Sequence, residues 1–143
     1  MATLRRLRAL PSRRRRSAAV AAIAVVAVRI GLTALPFATL RRVLLRLAES
    51  PLLRRPSGAV SPDDLAWAVR AAGRRVPRAT CLVQALALEL LLVRAGHAAE
   101  LRIGVAREGD GLMAHAWVES DGRCLLEGSE RTRFSPLSAA GRS

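Results

Sequence analysis

The chain contains no lysine, no asparagine and no tyrosine, and aromatic residues fill only 3% of its 143 positions. Any core must therefore be built from Leu, Val and Ala. That is feasible, because 51% of the residues are hydrophobic. The scarcity of aromatics among the basic residues removes the stacking platform that single-stranded nucleic acid uses, and no nucleic-acid partner is expected. Cysteine is almost absent too. Cys81 and Cys124 are too few for a disulfide framework, and they read as reduced thiols in a cytoplasmic setting. Their spacing from His97 and His115 fits no zinc pattern, so neither a metal nor another cofactor is expected.

What is abundant is arginine. The formal charge is +13, and every basic residue is Arg. Such a surplus suits an anionic membrane surface or an acidic peptide. It is uneven: Arg13 to Arg16 form one run, while acidic residues gather after Asp63.

A chain of this length supports one domain with an appended segment. Residues 1–58 read as a basic, apolar helical segment and 61–143 as the catalytic domain. The apolar run Ser17 to Val28 resumes after Arg29 and continues past Pro36 to Leu40. A signal peptide would show a clean cleavage motif after the run. A membrane span needs roughly 20 apolar residues, and Arg29 would sit inside it. A helical hairpin bent at Pro36, packed on the protein or lying on a membrane, fits better. Leu40, Val43, Leu44 and Leu47 continue a helical stripe. Pro51, Pro56 and Gly58 mark a linker.

Ser61-Pro62-Asp63-Asp64 is a helix start, with Ser61 as cap, Pro62 at the first position and two carboxylates at the positive end of the dipole. Leu65, Ala68, Val69, Ala72 and Val76 give this helix a buried face up to Pro77. Thr80 then caps a second helix from Cys81 to about Ala95, apolar almost all round, with Gly96 placed to close it. Strands follow. Leu101, Ile103 and Val105 share one face, a loop over Arg107 to Gly111 leads to Met113–Glu119, and Arg123–Glu127 returns. Helices first and an antiparallel sheet after make the class α+β.

The chemistry centres on Cys81. At the first turn of a buried helix, backbone N–H groups and the dipole favour the nucleophilic thiolate and offer half of an oxyanion hole. A buried structural thiol is the plainer alternative. His115 lies mid-strand in the apolar run Met113–Val118, with Trp117 on its face as a shield from water. A three-residue loop at Ser120-Asp121-Gly122 pairs Glu119 with Arg123, Trp117 with Leu125 and His115 with Glu127, which would let Glu127 orient the imidazole. A two-residue Asp121-Gly122 loop would send His115 to the other face. The three-residue loop is the expectation, and it gives a nucleophile, a base and an orienting carboxylate.

Thr80-Cys81-Leu82-Val83-Gln84-Ala85-Leu86-Ala87-Leu88, Leu101-Arg102-Ile103-Gly104-Val105 and Ala114-His115-Ala116-Trp117-Val118-Glu119 with Asp121-Gly122 closely resemble the leader peptidases of lasso-peptide biosynthesis. These are transglutaminase-like (papain-like) cysteine peptidases related to microcin-processing proteins. The resemblance spans Ser61 to about Gly128, and the helices before it more loosely. It implies a Cys-His-Asp triad carried over to Cys81 and His115, with Glu127, twelve residues after the histidine, where the family has aspartate; Asp121 is the alternative. It also implies a role: cutting the leader from a ribosomally made precursor so that a separate ATP-dependent cyclase closes the freed core. No segment here reads as a recognition domain, so the chain resembles the stand-alone protease half of the split B protein. A separate leader-binding protein would deliver the substrate.

Other residues receive structural roles. Cys124 alternates away from His115 in the expected register, His97 caps or is solvated, and Gln84 packs. Gly104 admits a close backbone, and Glu119 pairs with Arg123 at the surface. Two other classes compete: acyl transfer or amide ligation by the same triad, and a non-catalytic membrane-associated scaffold.

Overall fold

The computed structural model describes residues 11–55, 60–126 and 135–136. Helix α1 (Ser12–Ala34) and helix α2 (Phe37–Glu49) form the expected hairpin around Pro36, which ends one helix and opens the next. Helix α3 (Pro62–Gly73) starts as predicted, with the Ser61 hydroxyl accepting from the Asp64 N–H at 3.2 Å. It stops at Gly73, short of Pro77. A methyl group there would lie 2.5 Å from the Gln84 amide, so Gly73 is where α3 and the next helix touch most closely.

Helix α4 (Cys81–Arg94) is the centre of the molecule. Val83, Ala85, Leu86, Ala87, Leu88, Leu91 and Leu92 are all buried. Gly96, at φ +79°, closes α4 as expected. Its N–H bonds the Val93 carbonyl, and the His97 N–H bonds Leu92. Covering α4 on every side takes more than one layer. From α1 come Ala21, Ala24, Val25 and Val28, from α2 Leu40 and Leu44, and from α3 Leu65, Ala68 and Val69; the sheet covers the remaining side. Burying each Leu or Val is worth about 1.5–3 kcal/mol, so residues on either side of position 58 share one core. Half of the α2 stripe stays out of it, with Val43 and Leu47 exposed.

One charged residue sits inside this core. Glu89 is 2% exposed, and Arg41 of α2 clasps it through two bonds, Nε to Oε2 at 3.0 Å and Nη2 to Oε1 at 2.7 Å. A bidentate pair satisfies both carboxylate oxygens, which burial of a charge demands.

The sheet has the order β3-β2-β1-β4 and is antiparallel throughout. Strands β1 (Glu100–Glu108) and β2 (Gly111–Ser120) are longer than expected, because the loop between them shrinks to Gly109-Asp110. Leu101 faces Val118 and Ile103 faces Ala116, and this apolar side lies against α4. Strand β3 is Arg123–Cys124, and β4, which the sequence pattern did not suggest, is Ser135–Pro136 beside Gly104 and Val105. The Arg70 guanidinium donates to the Leu125 carbonyl, tying α3 to the chain after β3.

The β2–β3 turn corrects the expected register. Ser120 pairs with Arg123 and Glu119 with Cys124, so the loop is the two residues Asp121-Gly122, at φ +50° and +76°. Both in the left-handed region is the signature of a type I′ hairpin, which Asp-Gly favours. The Leu125 N–H bonds the Val118 carbonyl, continuing that register. Leu125 thereby joins Val118 and Leu101 on the helix side of the sheet. The three-residue loop would have turned Leu125 to the other face, and burial of that side chain decides between them.

Two outcomes test this framework. Arg41→Ala leaves the Glu89 carboxylate buried without its cation and is expected to cost about 3–5 kcal/mol in urea unfolding, with Arg41→Met plus Glu89→Met recovering most of the loss. For the register, Glu119→Cys in a Cys81→Ser background should form an intramolecular disulfide with Cys124 under mild oxidation, seen as a two-dalton loss by peptide mapping. A three-residue loop would hold those two side chains on opposite faces and give no crosslink.

Candidate functional site

Cys81 is the first residue of α4, and Thr80 before it is the cap, its Oγ1 accepting from the Val83 N–H at 3.4 Å. The N–H groups of Cys81 and Leu82 precede any helical acceptor, as at every helix start. They are the type of donor that holds a developing oxyanion. The thiol is half-buried, packed at the margin of the core. The approach to it is fixed by two devices. Gln84 donates its side-chain amide to the Ala79 carbonyl at 3.0 Å, bracing the turn before the helix. Arg78 adopts φ +60°, a left-handed conformation that costs a non-glycine residue on the order of 1 kcal/mol or more. The expectation that Gln84 packs is met, and the strained Arg78 had no signal in the sequence beyond the Pro before it.

His115 lies in the middle of β2, half-buried. Its ring stacks on Trp117 with centroids 6.1 Å apart and planes 22° from parallel. Trp117 is buried, and its indole N–H donates to Glu119 Oε1 at 3.2 Å. The other Glu119 oxygen lies 3.7 Å from Arg102, which also pairs with Glu100 at 3.0 Å. Opposite His115 on β1 is Gly104, which has no side chain to crowd the ring. Imidazole, indole, carboxylate and guanidinium thus form one line along a single face of the sheet. Glu119 belongs to this line and not to the expected surface pair. Arg123 reaches instead to Asp63, at 3.4 Å.

The register decides which face that is. Ala116 and Val118 turn toward α4, so His115 and Trp117 turn to the opposite face of the sheet. Cys81, on α4, lies on the helix side. Strand β3 pairs with Glu119 and Ser120, and among the described residues no strand pairs with β2 beside His115 on that edge.

The same register moves two other residues. Cys124, opposite Glu119, shares the face of His115, where the three-residue loop had put it on the other one. The pairing of Glu127 with His115 was argued from the three-residue loop, and Glu127 itself lies outside the described residues. Asp121 occupies the exposed turn tip. His97 is a structural residue, its Nε2 bonded to the Val60 carbonyl at 2.6 Å.

The profile of the transglutaminase-like superfamily matches residues 22–139, from the middle of α1 to beyond β4. No curated protein and no solved structure gives a match to the chain. A match over most of the sequence, an α+β core around one buried helix and a cysteine opening that helix agree with one another: the chain belongs to the transglutaminase-like superfamily.

Proposed function

We propose that this chain is a cysteine peptidase that removes the leader from a ribosomally made lasso-peptide precursor. The observation that carries the reading is the placement of Cys81 as the first residue of the capped central helix in a transglutaminase-like chain. In the proposed reaction the thiolate attacks the scissile carbonyl, with the Cys81 and Leu82 N–H groups holding the oxyanion. The tetrahedral intermediate expels the core's amine, which takes a proton from the His115 imidazolium, and a thioester to the leader remains. Water, deprotonated by the neutral imidazole, then hydrolyses the thioester and frees the leader's carboxylate. The proposed step requires His115 within proton-transfer reach of the thiol, and its stacking on Trp117 orients the ring. Glu127 or Asp121 would serve as the orienting carboxylate. The same thioester offered to an amine instead of water would give ligation.

Partners follow from the substrate. A separate leader-binding protein would present the precursor, and the ATP-dependent cyclase would take the released core. The reading sets the reaction in the cytoplasm. Helix α1 is long and apolar enough to cross a membrane, with a mean hydropathy of 2.0, but 28% of its apolar window is buried in the protein. A peripheral position suits it better than a spanning one. Its exposed Ile23, Val26 and Ile30 would then meet lipid.

A second reading has its own support. With His115 on the sheet face turned from α4, the domain would bind the precursor without cutting it. Two measurements separate the readings. Incubated with precursor and leader-binding protein, the wild-type chain should release the leader, as seen by mass spectrometry. Cys81→Ala and His115→Ala should each lower the rate by at least about a thousandfold, the scale seen when one member of such a set is removed. Iodoacetamide at neutral pH should alkylate Cys81 well before Cys124, and more slowly after His115→Ala. A wild-type chain that binds the precursor but releases no leader, with a labelling rate indifferent to His115, is assigned to the non-catalytic reading, and cleavage that survives Cys81→Ala overturns Cys81 as the nucleophile.

A further inference from the structure

Away from Cys81, arginines from two segments converge on one cavity. It has a volume of about 370 Å³ and is lined by Ser12, Arg13, Arg16, Ser17, Arg55 and Val60. A smaller hollow continues from it past Arg16 and Arg55 to Arg94, with Val20, Leu65 and Leu91 as an apolar floor. No carboxylate lines either space among the described residues. The sequence explains why: no Asp or Glu precedes Glu49, and none lies between Glu49 and Asp63.

Arg13 and Arg16 stand exposed at this cavity, while Arg55 and Arg94 are half-buried. Within the run Arg13 to Arg16, Arg14 turns aside to Asp64, at 3.9 Å, and stacks 4.9 Å from the Trp67 ring centre. Arg13 and Arg16 are left to the cavity. Arg94 is anchored by its Nε on the Leu53 carbonyl at 2.8 Å, and the Arg55 N–H bonds the Arg94 carbonyl at 2.9 Å, which keeps the two residues side by side. The closeness has an electrostatic consequence: burial first, and Arg55 second, lower the pKa of Arg94. The start of α1 lies in the same place. Its cap position is Pro11, which makes no side-chain cap bond, and no acidic residue stands in its first turn. Like charges, an uncapped helix start and a cavity of small-ligand size have one common remedy, an anion.

We propose that this cavity is a binding site for a phosphate group. Planar guanidinium forks match phosphate oxygens two at a time, and several of them around one cavity favour an anion with more than one charge. The Ser12 and Ser17 hydroxyls and the α1 N–H groups add neutral donors. The phosphate belongs either to a soluble ligand or to the head group of a lipid beneath α1. The site is separate from Cys81 and does not depend on the peptidase reading.

The test uses the full chain in phosphate-free buffer, with pyrophosphate as the soluble probe followed by calorimetric titration. Arg16→Ala and Arg55→Ala should each weaken binding by about tenfold or more, the scale of one lost charge-assisted hydrogen bond. Arg42→Ala, which removes the same charge from an exposed position on α2, should leave it unchanged. A second arm floats the protein on phosphatidylcholine vesicles with and without phosphatidic acid. Phosphatidic-acid-dependent flotation that pyrophosphate reverses, and that Arg16→Ala and Arg55→Ala abolish, identifies the head group as the source. Pyrophosphate binding without flotation identifies a soluble one. The proposal is overturned if Arg42→Ala weakens binding as much as the cavity variants do, because the attraction is then only net charge. It is equally overturned if citrate binds as tightly as pyrophosphate, or if neither probe binds.

Discussion

Helix α4 is apolar on nearly every side, and a helix of that kind cannot lie at a surface. The arrangement of the chain follows from the need to cover it. Three helices and one face of a sheet close around it, and the first two helices are as much a part of that cover as α3 or the strands. The buried carboxylate on α4, Glu89, strengthens the constraint. A carboxylate at 2% exposure is tolerated only where a cation meets it squarely, and Arg41 can do so only if α2 docks in one position. The pair adds little to stability compared with apolar side chains of the same volume. Its use is to fix where the hairpin sits.

Much of this was legible because it is local. The Ser61 and Thr80 caps, the Pro36 bend, the Gly96 closure and the alternation of Leu101, Ile103 and Val105 each depend on a few neighbouring residues, and each appears as expected. The Asp121-Gly122 turn is local as well, yet it was misread. Glycine suits the left-handed position of either loop, and the deciding preference is the tolerance of Asp121 for the same region. What settles the register is distant: Leu125 gains burial beside Val118 and Leu101 only in the shorter loop. Contacts made by docking remote segments, such as Arg41 with Glu89 or Arg55 beside Arg94, leave no local trace at all.

The candidate site divides along the same line. The position of Cys81 is fixed by a cap and a helix start, so four or five consecutive residues reveal it. The side on which His115 stands is a matter of parity along β2, and one residue gained or lost in a turn reverses it. Its neighbours Trp117, Glu119 and Arg102 reverse with it, since they are held to one another across the same face. A family signature therefore identifies both residues with equal force while the fold constrains them very unequally.

Charge shows a comparable division. With Glu49 the one carboxylate in the first two helices, most of their arginines must find a counterion elsewhere. Arg14 finds Asp64 and Arg41 finds Glu89, both on helices of the later segment, and these contacts help to dock the hairpin. Arg13 and Arg16 converge with Arg55 on a space that is lined by no acid among the described residues. Convergence against repulsion costs free energy in the isolated chain, and a phosphate in the cavity would offset that cost.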